Sequence, residues 1–113
     1  MMMPEVLHSQ HEADVLTLTL RLQPELLWFE GHFPELSILP GVAQVNWVMA
    51  FARQDFPQMG TFGGMEVLKF QKPLFPNEQV ELRIEWLKEK QRLAFSYQAA
   101  QQAASSGKVI LCP

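Results

Sequence analysis

The segment from Gly41 to Gln54 is apolar in nearly every direction of a helical wheel. The polar interruptions are few: Gln44, Asn46 and Arg53. A helix that is apolar on all sides has no face suited to water, so it must be buried. Pro40 before it suits a helix start and disfavours helical geometry at the preceding residue, and Pro57 marks its far end. The sequence therefore predicts one buried helix around which the rest of the chain wraps.

Alternation of apolar and polar residues predicts strands in the remaining chain. The clearest alternating runs are Val15 to Leu22, Gln79 to Leu87 and Arg92 to Ala99, and weaker ones are Met65 to Gln71 and Lys108 to Leu111. Together they predict about five strands. The charged stretch from Lys88 to Gln91 predicts a hairpin loop, and Gly63 with Gly64 predicts a turn before a strand. The polar, small-residue cluster from Gln98 to Gly107 predicts a strand end running into a loop.

A single sheet can enclose so apolar a helix only if it curls around it. A second chain beside the first would extend the sheet and cover its exposed edges. We therefore expect an α+β fold in which an antiparallel sheet wraps one long buried central helix. At 113 residues the chain suits a single domain, residues 1–113, and a domain this small gains from forming dimers.

Composition excludes several classes of function. A net charge of −3 with no basic block is a poor basis for binding nucleic acid. The lone Cys112 excludes an intramolecular disulfide and a cysteine-rich zinc site. No apolar run approaches the ~18 residues of a membrane span, and no signal peptide is evident, so the expected location is the cytoplasm. His8 and His11 are interpreted as solvated surface residues, with no metal expected.

The segment from Trp28 to Val42 carries the chemistry. His32 lies between a glycine and Phe33 in an apolar loop that leads into the helix, and imidazole is well suited to taking a proton near neutral pH. The amides of Gly41 and Val42 would be among the unpaired N–H groups at the helix start. Such groups can bind a carbonyl oxygen that is becoming an oxyanion.

The sequence resembles the hotdog-fold 3-hydroxyacyl-[acyl-carrier-protein] dehydratases, which are FabA/FabZ-like. Gly31-His32-Phe33-Pro34 followed by Leu39-Pro40-Gly41-Val42 matches the spacing of the family's GHFPxxPxxPGV signature. Lys69 to Val80 is similar to a second family segment, KF-x-(K/R)-P-x-x-P-x-(D/E). The short chain, with its helix glutamine and tryptophan, is most similar to the dehydratase-like proteins of aryl-polyene gene clusters, the ApeI-like branch.

The resemblance implies removal of water from a 3-hydroxyacyl thioester. By position His32 is the base that takes the α-proton, and the Gly41 amide holds the thioester carbonyl, with Val42 and Phe33 in the substrate site. The family's helix acid falls at Asn46, which cannot deliver a proton. Asn46 can orient the leaving hydroxyl, directly or through water. Ser37 is a lesser departure, since the family has proline there.

Three functions remain open from the sequence. The first is a 3-hydroxyacyl-thioester dehydratase of fatty-acid or polyene biosynthesis, which needs no cofactor beyond the phosphopantetheine arm of its substrate. The second is a hotdog acyl-thioesterase, with Glu30 or Glu35 activating water. The third is a catalytically silent acyl-binding subunit that supports an active dehydratase.

The expected partners follow from the same resemblance. They are an acyl carrier protein or CoA thioester and a second hotdog subunit, in a homodimer or a heterodimer whose partner could restore the acid. Five cations are candidates for contacting an acidic carrier protein or the phosphate of its arm: Arg53, Lys69, Lys72, Arg83 and Lys108.

Overall fold

A computed structural model describes residues 1–30 and 37–113, which form a six-stranded antiparallel sheet and one α-helix. The strands are β1 (Glu5–Glu12), β2 (Val15–Arg21), β3 (Thr61–Phe70), β4 (Gln79–Leu87), β5 (Arg92–Ala99) and β6 (Gln102–Cys112), and the helix is α1 (Gly41–Asp55). Short 3₁₀ helices cover Leu27–Phe29 and Lys88–Lys90. The strand order is β1-β2-β4-β5-β6-β3, which places β1 and β3 at the two edges.

The core lies between α1 and the concave side of this sheet. Alternate residues of the central strands are buried there, including Leu82 and Ile84 of β4 and Phe95 of β5. The helix contributes its inner face, which we define as Ala43, Gln44, Trp47, Val48, Phe51 and Ala52. The predicted fold, an antiparallel sheet wrapped around one central helix, is confirmed, and the helix starts directly after Pro40 as predicted.

The opposite side of α1 is only partly covered by the described residues. We call this side the outer face and define it by Val42, Asn46, Met49 and Arg53. Val42 is 68% exposed, although it is a large aliphatic residue in the first helical turn. Burial on all sides of the helix was predicted. Within residues 1–30 and 37–113, full burial is confined to the inner face, and Val45 and Met49 are partly buried against the core.

Two strands differ from the sequence-based expectation. β1 was not predicted, because all eight of its residues are exposed and an edge strand without a buried face shows no alternation. In the cluster from Gln98 to Gly107 the predicted strand end is confirmed, since β5 ends at Ala99, but the loop is only two residues long because β6 begins at Gln102. Ala100 and Gln101 make the β5–β6 turn with positive φ of 51° and 62°, a role usually given to glycine or asparagine.

The predicted turn at Gly63 and Gly64 is also wrong, because both residues lie inside β3. The β3–β6 register shifts between Phe62 and Gly64, and Gly64 has a φ of +135°, which favours glycine. A β-carbon at Gly63 would lie 2.5 Å from the Sγ atom of Cys112. The two glycines therefore form an irregularity within an edge strand and not a turn before it.

His11 holds β1 against the end of the helix and is not simply a solvated residue. Its Nδ1 atom lies 2.9 Å from an Asp55 carboxylate oxygen, and its ring packs edge-on against Phe56 at 4.9 Å between centroids. This contact joins the β1–β2 hairpin to the C-terminal end of α1. Across the described ranges, no helix has the length and apolar character needed to cross a bilayer.

Candidate active site

At the start of α1, two backbone N–H groups have no hydrogen-bond acceptor among the described residues. Pro40 is the N-cap, and its carbonyl accepts from the amides of Ala43 and Gln44 at 3.1 and 3.3 Å. Within residues 1–30 and 37–113, the amides of Gly41 and Val42 have no hydrogen-bond acceptor, and no side chain caps the helix. The positive end of the helix dipole is concentrated on these groups. They can therefore bind an oxygen that carries negative charge.

Gly41 is in close contact with an aromatic ring. A β-carbon built at position 41 would collide with the Cζ atom of Phe70 and would lie 2.9 Å from its Cε2 atom. Any residue other than glycine would therefore force the Phe70 ring to move. Phe70 itself remains 52% exposed, so the ring forms a wall beside the helix start and is not part of the core.

A cavity of about 330 Å³ opens at this place. Its lining comes from two separate parts of the sequence: Ile38, Leu39, Pro40, Gly41 and Gln44 on one side, and Phe70, Gln71, Lys72 and Pro73 on the other. These parts belong to the two segments that carry the family resemblance. The Leu39 amide donates to the Leu74 carbonyl over 2.8 Å, which ties the segments together at the cavity. Such a mostly apolar cavity with a few polar groups is typical of a small-molecule site.

Two candidate residues, His32 and Phe33, lie outside the described residues, as does Glu35. The chain that precedes them is firmly anchored. The indole N–H groups of Trp28 and Trp47 both donate to the Met2 carbonyl, at 2.8 and 2.9 Å. This shared acceptor links the 3₁₀ helix before the segment to the inner face of α1. The chain after the segment is anchored by the Leu39 contact at the cavity.

Asn46 lies on the outer face of α1 and is exposed. Its side chain makes no hydrogen bond within the described part of the chain, so its amide is available to a ligand or to another subunit.

The helix extends one residue beyond its predicted end to Asp55, which is its first carboxylate. Asp55 is nine residues further on, about 14 Å along the axis at 1.5 Å per residue, and it pairs with His11. Asp55 therefore cannot stand in for an acid at position 46.

Gln44 makes structural hydrogen bonds inside the core. It is 3% exposed, and its Oε1 atom accepts from the Ser105 hydroxyl over 2.6 Å. The Tyr97 hydroxyl donates to the Gln44 backbone carbonyl over 2.7 Å. Burial raises the pKa of Tyr97 well above its usual value, because the phenolate would have no solvation there. No sequence pattern indicates Tyr97 and Ser105 as partners of Gln44, since their role depends on strand register.

Three of the five candidate cations have partners among the described residues: Arg53, Arg83 and Lys72. Arg53 donates to the carbonyls of Met59 and Gly60 at 2.7 and 2.8 Å, so it holds the turn after the helix. Arg83 pairs with Glu85 at 3.4 Å. Lys72 borders the cavity, with its Nζ atom 3.4 Å from the Ala99 carbonyl. Of the five, Lys72 is thus the one that reaches the site.

The sequence matches the model of the ApeI-like family, described as ApeI dehydratase, over residues 8–108. It is also 30% identical over 105 residues to the 3-hydroxyacyl-[acyl-carrier-protein] dehydratase FabZ of Tolumonas auensis, covering 83% of this chain and 70% of that protein. Matches to the FabZ proteins of Colwellia psychrerythraea and Vibrio atlanticus span 59% and 50% of their lengths. The chain thus spans between half and 70% of these relatives.

Solved structures agree with the sequence matches. A chain of the dehydratase heterocomplex ApeI:P from Xenorhabdus doucetiae superposes with a TM-score of 0.93 at 41% identity, covering 99% of this chain and all of that one. A protein from Erwinia carotovora subsp. atroseptica superposes with a TM-score of 0.88 at 38% identity, covering 99% and 98%. The hotdog architecture and the likeness to dehydratases rest on both kinds of comparison.

Proposed function

The chain belongs to the ApeI-like dehydratase family, and on that premise we propose that it removes water from 3-hydroxyacyl thioesters. The product would be the trans-2-enoyl thioester, with the acyl group carried on an acyl carrier protein or on CoA. The observation that carries the proposal is the cavity at the start of α1, where the two family segments meet beside the unpaired Gly41 amide.

The Gly41 amide is proposed to bind the thioester carbonyl oxygen. Abstraction of the α-proton turns that oxygen into an enolate-like oxyanion, and donors aimed at developing charge supply a large part of enzymatic rate enhancement. The adjacent Val42 amide is the second available donor, and the Phe70 ring limits the approach to the pair. The absence of a β-carbon at Gly41 leaves room for the ring and the carbonyl together.

His32 is proposed as the base that takes the α-proton. This role rests on the match of its segment to the family signature and on the suitability of imidazole for proton transfer near neutral pH. Phe33 is proposed to line the substrate site beside it. No cofactor is proposed, because the base and the oxyanion donor together provide for proton removal.

Departure of the 3-hydroxyl needs a proton, and Asn46 cannot supply one. We propose that Asn46 orients the hydroxyl, through a water where needed. Loss of a general acid costs about 10²- to 10⁴-fold in rate. A partner subunit could restore the acid, because the outer face of α1 that carries Asn46 is open in a single chain.

A second hotdog subunit is proposed to pair with β3 and cover the outer face. β3 has one free edge along its ten residues, and it exposes four large apolar side chains: Phe62, Val67, Leu68 and Phe70. Such an edge is prone to pair with another strand. The relative from Xenorhabdus doucetiae is part of a heterocomplex, which supports a heterodimer as well as a homodimer.

A silent acyl-binding subunit is the second candidate function. Two observations favour it: the amide at position 46, and the heterocomplex to which the relative belongs. In that case the chain would bind the acyl group or complete the partner's site, and its own His32 would not take part in proton transfer.

Turnover of a 3-hydroxyacyl-carrier protein separates these functions. The wild-type chain, His32→Ala and the surface control His8→Ala would each be assayed alone and co-expressed with a second hotdog dehydratase subunit. The proposal expects His32→Ala to lose at least about 100-fold in rate while His8→Ala retains the wild-type rate. Equal rates for wild type and His32→Ala in the complex would establish the silent subunit, and no turnover in any arm would reject the dehydratase.

A further inference from the structure

A polar cluster is buried where helix and sheet otherwise meet through apolar side chains. It consists of Gln44, Tyr97 and Ser105, and none of them is more than 3% exposed. Replacing such a group and its partners with apolar residues is commonly neutral or stabilising, because buried polar groups must first lose their water. Packing alone therefore gives no reason for this cluster.

Every hydrogen bond in the cluster acts on the start of α1. The Ser105 hydroxyl on β6 holds the Gln44 side chain, and the Tyr97 hydroxyl on β5 holds the Gln44 backbone carbonyl. The Gln44 Nε2 atom lies 3.4 Å from the carbonyl of Leu39, just ahead of the helix. Hydrogen bonds fix distance and angle more narrowly than apolar contacts do. The three contacts therefore fix the distance of the first helical turn from the sheet and its rotation about the helix axis.

We propose that Gln44 is a positioning residue that fixes where the Gly41 amide points. Gly41 is less than one helical turn before Gln44, so any shift or rotation of that turn moves its N–H group directly. The Phe70 ring lies beside Gly41, so such a movement changes the position of the Gly41 amide relative to that ring. The catalytic consequence rests on the proposed function, because only an oxyanion donor needs this precision, whereas the positional claim stands on the contacts alone.

The position of the Gly41 amide can be measured without any assay of activity. Pro40-Gly41 is the single Pro–Gly pair in the sequence, so labelling proline carbonyl carbon with ¹³C and glycine with ¹⁵N isolates one amide signal. We expect Gln44→Met and Ser105→Ala to move this signal, since the ring of Phe70 makes it sensitive to position. Because Gln44→Met removes the buried acceptor of the Ser105 hydroxyl, its melting temperature should fall by about 4–15 °C.

Val48→Ala is the matched control, because Val48 is fully buried on the same face one turn further along. It should lower the melting temperature and leave the Gly41 signal in place. An unmoved signal in both Gln44→Met and Ser105→Ala would overturn the proposal. So would an equal displacement in Val48→Ala, since the signal would then report general loosening. Ser105→Ala decides the matter if Gln44→Met does not fold.

Kinetics give the second readout in the native assembly. A misplacement of about 1 Å can cost about 100-fold in rate, so kcat of Gln44→Met should fall about 10- to 100-fold while KM changes less than about threefold. A moved signal with unchanged kcat would overturn the positioning role. If the wild-type protein turns over no 3-hydroxyacyl thioester, the proposed function fails, and the Gly41 signal still decides whether Gln44 positions the amide.

Discussion

The two faces of α1 differ in how far the described residues cover them. On the inner face Trp47 is 1% exposed and Val48 is fully buried, whereas Val42 on the outer face is 68% exposed. One residue in six is polar on the inner face and two in four are polar on the outer face, so the outer face is also the more polar of the two. The difference shows that the described residues bury the inner face and leave Val42 and Asn46 of the outer face accessible.

The two edges of the sheet repeat this contrast. β1 is joined to the helix end through His11 and Asp55, and its eight residues are mostly polar. β3 carries the apolar residues Val67 and Leu68 at a free edge, and its last residue, Phe70, contacts the helix start. The two edges therefore differ in character: β1 is polar and joined to the helix end, whereas β3 is apolar and is the edge at which we expect a second subunit to pair.

Truncation of the inner face should have the largest effect on stability. Trp47→Ala removes a buried indole and its hydrogen bond to Met2, so the free energy of unfolding should fall by about 3–5 kcal/mol. Asn46→Ala on the outer face should change it by less than about 1 kcal/mol. Urea unfolding of both variants checks this, and similar losses would mean that the two faces are not different.

A charge on the β3 edge should affect assembly more than folding. Val67→Lys should raise the dissociation constant of the proposed dimer at least about 10-fold, because a lysine on the strand edge opposes pairing with another strand. Leu7→Lys is the matched control, since Leu7 is 47% exposed on the opposite edge. Sedimentation equilibrium measures both. Stronger dissociation by Leu7→Lys would place the interface at β1.

The buried Tyr97 should give the smallest effect, visible only at high pH. Its folded-state pKa lies above the unfolded value near 10, so the unfolded chain loses the proton first. Stability from this group is complete below pH 10 and falls by about 1.4 kcal/mol per pH unit above it. Tyr97→Phe should lack this slope in urea titrations. Identical slopes in the two proteins would argue against burial of the hydroxyl.

The helix, the three alternating strands and the family signature were predictable from the sequence. Each depends on a local sequence pattern that burial in the core imposes. In β4, for example, apolar and polar residues alternate because one side of the strand faces α1. The hairpin at Lys88–Lys90 was predictable for a similar reason, as charged residues need solvent at a turn.

The features that could not be predicted depend on contacts between residues that are far apart in the sequence. The first half of β6 lacks hydrophobic alternation because its buried residues are small: a β-carbon at Gly107 would lie 2.5 Å from the Val67 carbonyl oxygen of β3 and 3.0 Å from the Phe95 ring of β5. Ser105 gains its role only through a strand register that joins it to Gln44. The meeting of Gly41 with Phe70 is a contact between distant segments, so no local pattern could predict it. The proposed roles of His32 and Asn46 remain predictions.

The most direct test is the rate of 3-hydroxyacyl-carrier protein dehydration by Asn46→Glu. If position 46 faces the leaving hydroxyl, a carboxylic acid there should raise the rate of the homodimer by about 10²- to 10⁴-fold. Gln54→Glu, at an exposed position near the helix end, should not. Adding His32→Ala to Asn46→Glu should abolish the gain. A rate no higher than wild type, or a gain that survives His32→Ala, would contradict the proposed site.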